Sequence, residues 1–347
     1  MGLRKLPWKI TILLFAFILC LTMVLATGVG AVNVNPGEIN KMLLSHLPFF
    51  SSWVVPDWSK VDETIIFEFR LPRVILAALA GASLALAGAT FQGLFRNPMA
   101  DPYVIGVSSG AVLGAAIAVI FSIDINIFGF SAVPLMAFLG ALLTILIVYH
   151  IAKFGRKVAV LTLLLAGVVV SSLLSAVVSF LLFMSGEKLH QIIFWLMGSF
   201  SGRHWNYVLM GIPYFLLGMG AIFYYARELN VMLLGEESAQ HLGVEVEKVK
   251  KVLLISASLL TATAVSGGGI IGFVGLIIPH IVRILVGPDH RILLPAVAFM
   301  GAISLVLADA IARIVLAPME IPVGIITTLF GGPFFIYLLR QRKNAPL

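Results

Sequence analysis

Three arginines, Arg70, Arg73 and Arg313, stand at the ends of long apolar runs, and the planar fork of a guanidinium is suited to gripping paired carboxylates. Each also has a plainer reading. An arginine at the end of a membrane helix can snorkel its charge toward water, and Arg313 has Asp309 one helical turn earlier as an internal partner. Ser171, Ser175 and Ser179 make a polar line over ~12 Å of helix at ~1.5 Å per residue. Such a line is either a weakly polar wall that lets a bulky solute slide past or a set of hydrogen bonds to neighbouring helices. A third group is acidic. Glu236, Glu237 and Ser238 follow Gly235 in a polar segment over 227–251, and a short helix running to Leu242 stops naturally at Gly243. That segment reads as a compact helical hairpin offered to a partner, or as a solvated connector.

Other motifs promise less. Gly267, Gly269 and Gly272 satisfy G-x-G-x-x-G, but no strand precedes them, so a tight bend is expected rather than a dinucleotide site. His280 has no His, Cys or carboxylate at metal-ligand spacing, and no nucleophile stands with a base in evident reach. No covalent chemistry, cofactor or metal is therefore expected on this chain. Nor is there a G-x-x-x-x-G-K-[ST] phosphate loop, so any work driven by ATP must come from another chain. Gln92, inside an apolar run, is expected to bond to a neighbouring helix.

These side chains need positioning by elements that live in lipid. The 347 residues are 60% hydrophobic and 11% charged with a mean hydropathy of +1.08, against a usual charged share near ~25%. Apolar runs near the ~20 residues a bilayer core requires lie at about 10–32, 71–94, 103–121, 132–152, 159–183, 205–226, 251–267, 270–286, 292–313 and 322–339. The expectation is an all-α polytopic membrane protein of about ten transmembrane helices, in one domain. Small residues recur every fourth position: Ala77, Gly81, Ala85, Ala89 and Gly93 in one run, Gly106, Gly110, Gly114 and Ala118 in the next. Such ladders let helix backbones approach closely, so these runs are read as packed on protein rather than facing lipid. Gly324, Thr328 and Gly332 repeat the spacing in the last run, as expected near a tight dimer axis.

The formal net charge of +7 is not a nucleic-acid signature, because the basic residues are scattered over short loops. With the N-terminus in the cytoplasm, about sixteen of 23 basic residues fall inside, including Arg4, Lys5, Lys9, Arg96, Lys153, Arg156, Lys157, Arg227 and the tail Arg340, Arg342 and Lys343. Both termini are then cytoplasmic. The first run could be a cleaved signal peptide, but its loss would break this charge pattern, so it is read as retained. Residues 33–69, with Pro36, Pro48 and Pro56, read as an external loop. Cys20 is the single cysteine, which excludes an internal disulfide. Arg70, Arg73 and Arg313 sit outside, against the charge bias, which suggests a task for them.

Five stretches carry a resemblance: RLPR at 70–73, GATFQGLFRNPMADPYVIGVSSGA at 88–111, GEESAQHLG at 235–243, GGGIIGFVGLIIPHIVR at 267–283 and PVGIITTLFGGPFFIYLL at 322–339. In this order they resemble the FecCD permeases, the membrane subunits of type II ABC importers for ferric siderophores, haem and cobalamin. The resemblance implies the type II importer permease fold in a prokaryotic inner membrane. It implies a homodimer of ten-span subunits, two ABC ATPase chains that hold ATP and Mg, and an extracytoplasmic substrate-binding protein.

On that resemblance, Arg70, Arg73 and Arg313 dock the binding protein. Gly235, Glu236, Glu237, Ala239, Leu242 and Gly243 couple to the ATPase, Val160 and Leu161 form an inner gate, and Ser171, Ser175 and Ser179 line the path. The implied cargo is a metal chelate, first a ferric siderophore, alternatively cobalamin or haem. An ion-coupled secondary transporter is the competing class. It would place ionisable groups at midmembrane, whereas Asp309 here lies near an outer end.

Overall fold

The computed structural model describes residues 7–30, 32, 34, 36–45, 57–123, 131–155 and 157–343. Arg4, Lys5, Arg156 and much of the expected external loop, Pro48 and Pro56 included, lie outside the described residues. Fifteen α-helices follow in chain order among them: α1 (Trp8–Gly28), α2 (Pro36–Ser45), α3 (Lys60–Thr64), α4 (Leu71–Leu94), α5 (Val107–Ile120), α6 (Ala132–Ala152), α7 (Val160–Met184), α8 (Leu189–Leu196), α9 (Trp205–Tyr224), α10 (Ala226–Met232), α11 (Glu236–His241), α12 (Val246–Gly268), α13 (Val274–Val286), α14 (His290–Ile314) and α15 (Val323–Lys343). Seven helices are long and apolar enough to cross a membrane, and three shorter apolar ones, Val107–Ile120, Val274–Val286 and Val323–Leu338, complete the ten expected spans.

The spans divide by what surrounds them. The apolar window of α4 is 89% buried and that of α12 78%, whereas α1, α7 and α9 bury only 22% of theirs. A helix that is apolar all round and buried all round is a core element, and α4 is the post on which α12, α13 and α14 pack. Its glycines explain why. A Cβ on Gly81 would stand 2.2 Å from the Gly301 carbonyl oxygen of α14, and one on Gly88 only 1.8 Å from that of Gly275 in α13. The second ladder packs α5 on α6, with Gly110 against Thr144 and Gly140, and Gly114 against the Met136 carbonyl.

The structure adds to the sequence reading in four places. The runs 103–121 and 270–286 begin as non-helical backbone, because Gly106 (φ +88°) and Phe273 (φ +68°) adopt left-handed conformations just before α5 and α13. The two irregular stretches meet inside the protein, where the Tyr103 hydroxyl bonds to the Ile271 carbonyl at 3.1 Å. Exposed to lipid, such backbone could not be satisfied; buried in protein it is. Second, Lys153–Phe154 (β1) and Lys157–Val158 (β2) form a minimal antiparallel hairpin between α6 and α7 of the helical fold. Third, the end of the external loop is helical: α3 runs through a π-helical turn, Ile65–Arg70, into α4. Fourth, Gly324 makes a close approach within the chain, against the carbonyls of Met197 (2.2 Å from a built Cβ) and Ile270.

Candidate functional site

At one end of the bundle, α1 finishes beside the start of α4 and the end of α14. The last carbonyls of any helix lack partners within it, and the negative end of the helix dipole favours cations there. Arg313 supplies both, donating to the Ala26 carbonyl at 3.0 Å and that of Val29 at 2.6 Å. Arg70, carried inward by the π-helical turn, donates to the Gly28 carbonyl at 3.0 Å and to that of Val32. Arg73 faces the other way and grips Asp309 (Nη2–Oδ1 2.9 Å) and Glu320 (Nη1–Oε1 2.8 Å), while Asp309 also pairs with Arg313 at 3.2 Å.

This geometry changes the reading of all three arginines. They are 7%, 8% and 4% exposed respectively, and their donors are directed at acceptors of the same chain. As placed here, none presents a free guanidinium fork to an incoming carboxylate. The internal Arg313–Asp309 pair, raised above as the plainer alternative, is the arrangement observed. Glu320, which no spacing rule connects with Arg73 across 247 positions, was not foreseen. Burial raises the Glu320 carboxyl, but the hydrogen bond and charge of Arg73, together with a hydrogen bond from Ser201 and the charge of Arg313, outweigh it and hold the group below its ordinary value.

The opposite end holds the acidic group. Gly235 (φ +115°) turns the chain into α11. The helix is six residues long, ending one residue before the expected Leu242. It closes with paired bonds from the Gly243 amide to the Gln240 carbonyl (2.9 Å) and from the Val244 amide to the Ala239 carbonyl (3.0 Å), with Gly243 left-handed at φ +85°. This double bond past a glycine is a Schellman ending. Ala239 is fully buried while Glu237 and Leu242 are exposed, so one face of α11 is anchored and the other is presented. Glu236 turns inward to Lys250 of α12 at 3.0 Å.

Lys250 is 3% exposed and also bonds to Glu247 at 2.8 Å and to the Val158 carbonyl of β2 at 2.8 Å. From the sequence it was only one more positive-inside charge. Its i,i+3 relation to Glu247 was the one available signal. Beyond Val158 and Ala159, α7 begins at Val160, half-buried, and Leu161, 70% exposed.

Beside them, α10 is fastened to α14 through Asn230. It accepts from the His290 amide at 2.8 Å and donates to Asp289 at 2.7 Å. Hydrogen bonding from Arg291 keeps the Asp289 carboxyl well below the usual carboxylate range. Gln92 bonds to the Leu276 carbonyl of α13 at 3.0 Å and accepts from Arg283 at 3.1 Å, the neighbouring-helix contact expected of it.

Between the two ends, Ser175 and Ser179 of α7 face Ser108 and Ser109 of α5 and Ile270 across a recess of about 250 Å³. Ser171 approaches Gly106, whose built Cβ would lie 3.0 Å from its hydroxyl. The structure thus brings the three serines to one side and adds Ser108 and Ser109. Ser179 donates to its own helix, to the Ser175 carbonyl at 2.9 Å, so interhelical bonding is not what that hydroxyl does. The glycines of the G-x-G-x-x-G run make the tight bend: Gly269 (φ +73°) turns the chain out of α12 against the Trp195 carbonyl.

The comparisons with known proteins agree with this architecture. The model of the FecCD transport family matches residues 15–341. A cobalamin import system permease protein of Halobacterium salinarum is 50% identical over 293 residues, covering 84% of this chain and 77% of that protein. A hemin transport system permease protein of Yersinia pestis is 38% identical over 348 residues, covering 96% and 97%. A metal-chelate type ABC transporter solved in an inward-facing conformation superposes with a TM-score of 0.81 at 35% identity, over 95% of this chain and 98% of that one. The chain is a polytopic helical permease, and it belongs to the FecCD transport family.

Proposed function

We propose that this chain is the membrane-spanning subunit of an ATP-driven type II importer in a prokaryotic inner membrane. Two copies pair around a path lined by Ser171, Ser175 and Ser179, with both termini in the cytoplasm. Two ATPase chains, which hold ATP and Mg, engage α11 through Gly235, Glu237, Leu242 and Gly243, with Glu236 and Ala239 fastening the helix from behind. Val160 and Leu161 close the inner mouth by apolar contact and dewetting. An extracytoplasmic binding protein docks at the arginine end. There Arg70, Arg73 and Arg313 set the shape of the docking surface, and Glu320, paired with Arg73 and partly exposed, offers a carboxylate beside them.

The observation that carries this reading is the two-faced α11: a six-residue helix with sharp glycine stops, anchored on one side and bare on the other. Such a knob suits receipt of a push from a separate motor. The ion-coupled alternative has less support, because Asp309, the most buried carboxylate of the described residues, is committed to two arginines. The cargo is a metal chelate. The 50% identity with a cobalamin permease puts the corrinoid ahead of the ferric siderophore expected from the motifs, with haem third.

Reconstitution in proteoliposomes with the ATPase and binding protein tests the proposal. Labelled cobalamin, ferric siderophore and hemin are supplied outside, and uptake is expected only with ATP inside. Uptake by the permease alone, driven by an ion gradient, would overturn it.

A further inference from the structure

We propose that Lys250 is the mechanical joint between the helix that meets the motor and the mouth of the path. This rests on the reading of α11 as the ATPase contact and of Val160 and Leu161 as the gate. A lysine ammonium has three donors and no acceptor, and Lys250 meets acceptors on three separate elements. These are the Glu236 carboxylate at the start of α11 (3.0 Å), the Glu247 carboxylate on its own helix (2.8 Å) and the Val158 carbonyl at the end of β2 (2.8 Å).

Glu247 closes the ring. Its other oxygen, Oε2, accepts from the Val158 amide at 3.1 Å. Val158 is therefore clamped through both its amide and its carbonyl, and it pairs with Lys153 across the hairpin besides. Only Ala159 separates this clamp from Val160.

The arrangement is short and charge-assisted, with a buried ammonium held between two partly exposed carboxylates. The Lys250 side chain is 4% exposed, and hydrogen bonds with one ionised partner are roughly twice as strong as neutral ones. Displacing the first residue of α11 must either break the Glu236–Lys250 contact or move Lys250, and with it the strand that ends at the gate. A chain of packed contacts is a route for coupling only if it has two arrangements that both sites bias, so the decisive readout is the gate's response to nucleotide.

The test uses the assembled transporter with its ATPase. Cys20→Ser removes the chain's single thiol and Leu161→Cys places a reporter at the gate. Labelling of that thiol by a membrane-impermeant maleimide is timed without nucleotide and with ATP trapped by vanadate. In the parent the rate is expected to change by roughly 5-fold or more, the lower end of coupling between protein sites. With Lys250→Met, which keeps the apolar stem and removes the ammonium, the two rates become equal while the ATPase still co-purifies.

Glu247→Ala, which frees the Val158 amide but leaves Lys250 on Glu236 and on the Val158 carbonyl, reduces the difference and decides the matter if Lys250→Met does not assemble. A parent without any nucleotide response overturns the gate reading, and this inference with it. A parent that responds alongside variants that respond equally overturns the joint alone.

Discussion

Replacing Arg73 distinguishes an arginine that binds a visiting protein from one that holds its own chain together. Arg73→Gln strips Asp309 of three hydrogen bonds at 2.9 to 3.1 Å and Glu320 of two at 2.8 and 2.9 Å. Breaking a buried ion pair by removing one partner costs about 3–5 kcal/mol, because the remaining charge stays buried. Asp309 is 1% exposed but keeps Arg313 at 3.2 Å, which places its loss at the lower end, about 3 kcal/mol. The Glu320 side chain is 35% exposed, and water will take over its pairing at a cost of only about 0–1 kcal/mol.

The expected total of about 3–4 kcal/mol is measured by thermal unfolding of the detergent-purified permease, followed by loss of the monodisperse peak on size exclusion. Asp309→Leu alone is expected to cost a similar amount, since it takes the buried carboxylate from two guanidiniums and leaves Arg73 with Glu320 and Arg313 with backbone carbonyls. Combining it with Arg73→Met recovers part of the loss, because a matched apolar pair needs no desolvation. Capture of the binding protein is measured alongside. A variant Arg73→Gln of unchanged stability that no longer captures the binding protein would refute the structural assignment and restore direct docking.

Gly88→Ala places a Cβ 1.8 Å from the Gly275 carbonyl oxygen, so α4 and α13 must part. A loss of about 1–3 kcal/mol or more is expected, seen as lower yield and a lower unfolding midpoint. Gly220→Ala in α9, whose built Cβ meets nothing within 4 Å, is the control and is expected to be neutral or slightly stabilising. For pH, the lowered native value of Glu320 means that its stabilisation is complete above its ordinary value of 4.5 and fades as the pH falls through the native value. The midpoints of wild type and Glu320→Gln should therefore converge on acidification below 4.5, and an unchanged gap would refute the pairing. Glu237→Lys, on the bare face of α11, is expected to abolish ATPase co-purification without altering the permease's own stability. Glu236→Lys instead sets a second cation against Lys250 and should lower stability as well.

Much of the architecture was legible in one dimension because lipid imposes a simple rule: a spanning helix must be apolar for about 20 residues and satisfy its own backbone. The ten spans, the small-residue faces of α4 and α5, and the stops around α11 at Gly235 and Gly243 all follow from local composition and spacing. The late starts of α5 and α13 did not, because the left-handed conformations of Gly106 and Phe273 stand beside a contact between Tyr103 and Ile271 made across the fold. Nor could the sequence warn that Gly88, off the ladder, makes a closer contact than Gly81 on it.

What the sequence determined by itself was therefore the solvent, the number of apolar spans, and which residue types stand at their ends. A bilayer selects on runs of hydropathy and loops of charge, and both are properties of neighbours along the chain. What only the tertiary structure decided was the direction in which each charge is spent. Arg73 and Glu320 are 247 positions apart, and Lys250 reaches Val158 across 92. Pairings over such distances are chosen by packing of α4 against α14 and of α12 beside the β-hairpin, which no periodicity in the chain encodes.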